Sequence, residues 1–318
     1  MLKGWSCLLA LALLLCDVQA TAKTFSRHEL SIWGASGVST LKYNPKYGKR
    51  KTKFGYAFGG GYTFYFHRDW GIHIGAETAL YSTAFRSQNL RDAYTRYGFD
   101  DLTPGWTGEN ELIDYHVEVS NYTERQHLYS LNIPLTLEFQ MPLADDGSYQ
   151  FFASLGTKLG MATASTYRVD ARLYTWYYDH KSNQEFRPDP TGYGTPYLED
   201  LGCFYNYPYS TEKQRNKFKV AGLITAEAGV KYHFRKNRSA YVSAYLDYGF
   251  TNISKESGNR FFEFDSEDVR MISNSILTSQ CAGNGGVAAN FTKRITPLSF
   301  GVKLRIGISK PARVSTNI

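Results

Sequence analysis

Three things are scarce in these 318 residues: cysteine, metal-ligand spacing and long apolar runs. Of 4 cysteines, Cys7 and Cys16 fall in the first segment, which leaves only Cys203 and Cys281 for the rest of the chain. No stretch after the leader is apolar for the ~20 residues that a membrane helix requires, so a helical span is excluded. There is no Walker loop, no HExxH and no Cys/His cluster, so motif-bearing nucleotide hydrolysis and zinc chemistry are excluded as well. Gly59-Gly60-Gly61 lies inside a strand-like pattern, where glycine marks close packing or a bend rather than a phosphate loop. No Pro/Ser linker or shift in composition divides the chain, and the hairpins are its only repeat.

What is present begins with a leader. Lys3 supplies a positive start, Leu8–Leu15 an apolar run, and Val18-Gln19-Ala20 a small-residue cleavage site, so residues 1–20 read as a signal peptide and 21–318 as the mature domain. Leu13-Leu14-Leu15-Cys16 is the rival reading, a lipobox, although Leu15 stands where a small residue is usual. Cleavage after Ala20 removes Lys3 and Asp17 together and leaves the net charge at +7. The export signal places Cys203 and Cys281 in an oxidising compartment, and both a loop-to-loop disulfide and two separate thiols are compatible with that.

Beyond the leader, polar and apolar residues alternate. Leu131, Ile133, Leu135, Leu137 and Phe139 interleave with Ser130, Asn132, Pro134, Thr136, Glu138 and Gln140. The same two-residue period returns at Leu298, Phe300, Val302, Leu304, Ile306 and Ile308, and no helix produces it. Further strands are expected near Glu29–Leu41, Phe54–Phe66, Trp70–Phe85, Tyr149–Val169, Lys217–Phe234 and Ala240–Ile253. The links alternate in length after a first one at Pro45–Lys53. His67–Asp69, Pro142–Ser148 and Arg235–Arg238 are short, whereas Arg86–Glu124, Ala171–Asn216 and Ser254–Lys293 are long. Tight turns at one end and free loops at the other are what an up-and-down barrel in a membrane needs.

Aromatics on the apolar face (Tyr62, Phe64, Phe66, Trp70, Phe139, Phe151, Tyr232 and Phe234) gather beside the short turns, as a membrane-interface girdle does. The core of a soluble barrel would have no reason to collect them at one rim. The expected fold is therefore all-β: an eight-stranded antiparallel up-and-down transmembrane barrel with short periplasmic turns and long extracellular loops. Its last strand covers about 294–309, and a tail of 310–318 follows. The polar face carries Glu77, Glu138, Glu227 and Asp247 against Lys158, Lys231, Lys303 and Arg305. Eight strands leave an interior just wide enough for side chains, so these charges are expected to pair and fill it.

Leu131-Asn132-Ile133-Pro134-Leu135 and Phe300-Gly301-Val302-Lys303-Leu304-Arg305 resemble strands of the small outer-membrane β-barrels, OmpA/OmpX-type and PorT-like. The resemblance covers nearly the whole mature chain and implies a bacterial outer-membrane location. It differs at the end, because Lys310–Ile318 continues past the last strand. Pro134 removes a ladder hydrogen bond, and a bulge is expected there.

The loops carry the candidate chemistry. Lys49, Arg50 and Lys51, with Lys46 and Lys53, form a basic cluster suited to lipopolysaccharide phosphates or simply to solvent. Asp92, Asp100, Asp101, Glu109, Glu111 and Asp114 make an acidic stretch without the spacing of a calcium loop. Tyr174, Trp176, Tyr177, Tyr205 and Tyr207 lead an aromatic third loop that either binds a ligand or caps the barrel. His180-Lys181-Ser182-Asn183 resembles the His-x-Ser-Asn of outer-membrane lipid A deacylases, but Glu185 and Glu199 are poorly spaced to orient the histidine. The function expected is non-enzymatic: a filled barrel whose loops bind a protein, a glycan or lipopolysaccharide. The alternative, which the PorT-like resemblance implies, is a subunit of a larger envelope or secretion machine; lipid A modification or narrow conduction come behind. Outer-membrane lipid and lipopolysaccharide are the expected partners, with no nucleic acid and no cofactor.

Overall fold

In the computed structural model, eight long strands hydrogen-bond into one closed antiparallel ring. The structure describes residues 26–97, 112–145, 147–188, 202–235, 237–255, 257–265, 268, 270–282 and 287–309. The expected signal peptide and the 310–318 tail lie outside these residues, as do Asp100, Asp101, Glu109, Glu111 and Glu199. In chain order the strands are β1 (His28–Lys42), β2 (Lys49–Thr52), β3 (Phe54–Tyr65), β4 (Trp70–Tyr97), β5 (Leu112–Pro142), β6 (Tyr149–Asp179), β7 (Gln184–Phe186) and β8 (Tyr207–Ser210). They continue as β9 (Gln214–Arg215), β10 (Ala221–Arg235), β11 (Arg238–Gly249), β12 (Phe262–Asp265), β13 (Arg270–Ser273), β14 (Gln280–Cys281), β15 (Ala289–Asn290) and β16 (Thr296–Ser309). The ring runs β1-β3-β4-β5-β6-β10-β11-β16 and returns to β1. The start of β1 and the end of β16 lie together, with Glu29 opposite Ser309, at the end where the short turns close.

Alternation sets what each strand shows to either side. Around the ring, Ile32, Phe58, Ile74, Leu135, Leu155, Val242 and Val302 point outward and are largely exposed. Phe64, Phe66, Trp70 and Tyr149 band the short-turn end of this apolar wall, with Trp70 against Phe139 at 4.9 Å and Tyr149 stacked on Tyr232 at 4.8 Å. A second band, Phe54, Tyr56, Tyr129, Tyr248 and Phe250, marks its opposite edge. That second girdle lies beside the long loops, where the sequence reading did not look for one.

Inside the ring, Gly59 is required by packing: a Cβ there would stand 2.5 Å from the Trp33 ring. Its hydrogen side chain admits that indole to the interior, consistent with the close-packing reading of the triple glycine.

Three strands run well past the wall. The sequence reading ended the third strand at Phe85, began the fourth at Ser130 and ended the fifth at Val169; β4 and β6 instead continue to Tyr97 and Asp179, and β5 begins at Leu112. Their inward residues Leu90, Ile113, Tyr115, Val117, Val119, Val169 and Leu173 are buried against Phe261, Phe262, Phe264, Met271, Ile276 and Leu277 from the segment between β11 and β16. The largest apolar core therefore sits above the ring rather than in it. A register shift between β5 and β6 at Ser120/Thr123, with Asn121 at φ 52°, changes the inward residues of β5 from odd to even numbers. The bulge expected at Pro134 is a correction: Pro134 pairs with Lys158 in unbroken register, and the shifts fall at Ser120/Thr123 and Tyr129/Ser130.

Candidate functional site

The interior of the ring holds ion pairs in tiers. Near the short turns, Lys231 Nζ lies 3.0 Å from Glu29 Oε2, while Tyr241 donates to the same carboxylate. Arg305 Nη2 stands 2.8 Å from Glu138 Oε2, an ion-pair contact not aligned as a hydrogen bond, and its guanidinium lies 3.8 Å over the Tyr241 ring. Midway, Lys303 meets Glu227 at 2.7 Å and covers Trp33. Nearest the long loops, Lys158 bridges Glu77 at 3.0 Å and Asp247 at 2.9 Å. Trp33, Asn132 and Thr225 donate the remaining hydrogen bonds to these two acids.

All eight charges named from the sequence lie in this interior, each buried. Glu29 is a ninth that the sequence reading missed. It opens the first strand in phase with Ser31 and Trp33, and counting that strand's polar face would have found it. The cavity left between Tyr81, Asn132, Gly160 and Leu223 is about 10 Å³, the least that admits one water.

Above the wall, the extended β4–β6 sheet has one fully buried side and one half-buried side. On the half-buried side, His116 stacks on Trp176 at 5.0 Å and 8°. Arg187 covers Trp176 at 4.8 Å, and Tyr174 meets Trp176 at a tilt and Tyr205 edge on. Burial beside the indole pulls His116 below its ordinary pKa, which favours the neutral, stacking ring. The five aromatic candidates thus divide. Tyr174, Trp176 and Tyr205 share this outward row, whereas Tyr177 is buried on the packed side against Phe186, and Tyr207 lies on β8 against Phe204.

The His180–Asn183 motif forms a turn. Ser182 Oγ donates to Asp179 Oδ2 at 2.5 Å, and His180 Nε2 lies 3.0 Å from Asp114, so serine and histidine each engage a different acid. Burial works against the Asp179 charge, yet the Ser182 hydroxyl and the Lys181 and Ser182 amides hold its carboxyl below the usual range. Asn183 at φ 54° completes the turn.

Of the acidic stretch, the two described residues, Asp92 and Asp114, lie apart. Asp92 is buried, accepting from the Ala282 amide at 2.7 Å, while Asp114 faces outward toward Thr95, and among the described residues no cluster of acids and histidines could hold a metal. Lys49 and Lys51 are exposed on β2; Arg50 between them donates to the Leu41 carbonyl at 2.9 Å.

Cys203 and Cys281 are not joined to one another, which is the second of the two arrangements held open from the sequence. Cys203 contacts the Phe186 carbonyl, and Cys281 the Arg91 carbonyl on another strand. Burial pushes the Cys203 thiol up to about 12.

No protein-family model matches this chain, and no curated protein does. Among solved structures, the chain is similar to Ail, the attachment invasion locus protein of Yersinia pestis, at 10% identity and a TM-score of 0.26, covering 89% of this chain and 99% of that one. The same protein in complex with the heparin analogue sucrose octasulfate gives 12% identity and 0.25, over 89% and 99%. OccK11 (OpdR) of Pseudomonas aeruginosa gives 9% and 0.10, over 92% and 99%. At TM-scores this low none of these likenesses bears on function.

Proposed function

We propose that this chain is a sealed, non-catalytic β-barrel of the bacterial outer membrane that raises a one-sided sheet above the lipid to bind a glycan. One observation carries the reading, the change in character along β5. From Tyr129 to Met141 its outward residues are apolar and exposed or half-exposed; above, they become His127, Arg125 and Thr123, and then His116 in the aromatic row. A protein in water does not leave so broad an apolar wall bare, whereas hydrocarbon covers it at no cost. The two aromatic bands fit the two interfaces. On this reading the short turns face the periplasm and the projecting sheet faces outside.

Paired charges in the interior support a structural filling over a conduction path. The projecting sheet has its inner side occupied by the chain's own loop, and its outer side is half-exposed. Stacked rings flanked by Arg187 are suited to a sugar: aromatic faces give contact area at low entropic cost, and the guanidinium adds donors. The experiment fractionates membranes and then presents the purified, refolded protein to a glycan array. Recovery with the outer membrane, and glycan binding lost in Trp176→Ala with Tyr205→Ala while heat-modified gel mobility stays native, is the expected result. Recovery in the soluble fraction would overturn the membrane reading. Glycan binding unaffected by the double variant would overturn the site.

A further inference from the structure

A pocket of about 540 Å³ opens on the outer wall where β1 and β16 rise past the upper aromatic band. It collects bases from two distant stretches of chain, Lys42 and Lys46 at and after the end of β1 and Lys293 and Arg294 just before β16, with Tyr248 among its lining residues. Carboxylates are absent from its described lining. Lys42 lies 5.1 Å over the Tyr248 ring, Lys46 stands over Tyr47, and Arg294 donates to the Phe250 carbonyl at 2.7 Å. None of the four cations is in an ion pair among the described residues. Four positive charges gathered without an acid repel one another, and an anion removes that cost.

Directly along the same pair of strands lies a second hollow. It is an apolar groove of about 720 Å³, with Gly34 and Ser36 on β1 between Phe54 and Tyr56 of β3 and Val302 and Leu304 of β16. Register links the two. Lys42 faces Thr296 in the basic pocket, and Ser36 faces Val302 in the groove. Phe54, at the groove's upper end, pairs with Val38, four residues below Lys42, or about 13 Å of strand. A lysine side chain spans much of that distance.

The geometry points to a built lipid site at this seam, which takes one lipid A molecule with a headgroup phosphate among Lys42, Lys46, Lys293 and Arg294 and an acyl chain in the groove beneath. The site rests on the membrane reading above, since only a barrel in the outer leaflet presents the groove to lipid. Charge chooses the headgroup: bases held near an interface favour phosphate over a zwitterion. The sequence placed the basic function at Lys49, Arg50 and Lys51, with Lys46 and Lys53; of these the pocket uses Lys46, joined by Lys42 and by a pair some 250 residues later in the chain.

The test uses the full protein in mild-detergent micelles, with native mass spectrometry counting bound lipid. Bisphosphorylated lipid A, its dephosphorylated form and inorganic phosphate are titrated separately. One lipid A per chain is expected. Its retention should fall about tenfold on removal of the phosphates, and about thirtyfold in Lys42→Gln with Lys293→Gln, as the loss of two interfacial bases predicts. Ser36→Phe, which fills the groove and alters no charge, should weaken lipid A as well. Arg235→Gln with Arg238→Gln removes equal charge at the opposite rim and should change nothing. Equal retention of the two lipid forms, or by the Lys42/Lys293 variant, overturns the site. Inorganic phosphate bound as tightly as lipid A overturns the lipid in favour of a free anion. Each variant's native gel mobility separates these outcomes from misfolding, and failure of the native chain to reach the outer membrane would sink the membrane reading instead.

Discussion

The Glu124 carboxylate accepts a hydrogen bond from the Ser275 hydroxyl at 2.5 Å, across 151 residues of chain. The Ile276 amide, the Tyr122 hydroxyl and the Gln126 amide also donate to it, and the carboxyl is fully buried with no ion-pair partner among the described residues. Glu124 lies five positions above Tyr129, beyond the apolar wall, so this contact holds the β11–β16 segment down on the projecting sheet. Removing the acceptor should free that segment before the barrel is disturbed. Glu124→Ala leaves several buried donors unpaired at about 1–3 kcal/mol each, so a loss near 3 kcal/mol is expected for the segment's local stability. Glu124→Gln should cost less. Hydrogen exchange on residues 270–282 reads the difference, and unchanged protection in Glu124→Ala would refute the clamp.

The same site predicts a pH dependence. Burial raises the Glu124 pKa, and the hydrogen bonds only partly offset it; burial also raises that of Asp92, which accepts from the Ala282 amide. A carboxyl whose folded pKa lies above its unfolded one binds more protons folded than unfolded. Its contribution is full below the unfolded value and is lost as pH rises through the folded one. The segment should therefore be held more firmly in mild acid than at neutral pH, opposite to the usual salt-bridged acid. Limited proteolysis across that range checks the sign, and Glu124→Gln with Asp92→Asn should flatten the profile.

In the interior, Lys158 bridges Glu77 and Asp247. Lys158→Met strands two buried acids, and breaking a buried pair costs about 3–5 kcal/mol. Urea titration of the protein in lipid vesicles, followed by gel mobility, should show a loss of that size. Adding Glu77→Gln and Asp247→Asn should recover part of it, because uncharged groups no longer need the lysine. A triple variant as weak as the single one would mean that packing, not charge, sets the penalty.

The interior was legible in the sequence because alternation is strict there: Glu138, Lys303 and Arg305 occupy polar phases of strands whose other phase is apolar. The projecting sheet was not. Ile113, Tyr115, Val117 and Val119 also alternate, but with Asp114, His116 and Glu118 between them, and charge was taken for loop. The Asn121 bulge then shifts the phase, so no single period runs from Ile113 to Gln140. Tyr177 was grouped with its aromatic neighbours for a similar reason, since composition does not say that Trp176 and Tyr177 face opposite ways. The basic pocket was beyond reach, because Lys42 and Arg294 meet only once β16 closes on β1.

Position on the wall should grade the cost of a charge. Leu155 points outward near mid-height on β6, whereas Tyr149 sits in the aromatic band at the short-turn end. Arginine at a bilayer midplane costs about 2–4 kcal/mol and near an interface about 0–1. Leu155→Arg should therefore destabilise the inserted protein by more than Tyr149→Arg, measured by the same vesicle titration. Equal effects would place the wall outside lipid.

The cysteines give a test that needs no substitution. Cys203 packs behind Phe186 and Cys281 contacts a backbone carbonyl of β4, so each is held by its own surroundings and neither by the other. A pKa near 12 leaves almost no Cys203 thiolate at neutral pH, and the thiolate is the form that attacks a maleimide or a disulfide. Under native conditions Cys203 should label slowly, and in denaturant both cysteines should label without a reductant. A reducing agent should leave thermal stability unchanged. Labelling in denaturant that requires prior reduction would show that the two loops are cross-linked after all, and it would also make the packing of the projecting sheet depend on the oxidising compartment rather than on its apolar core.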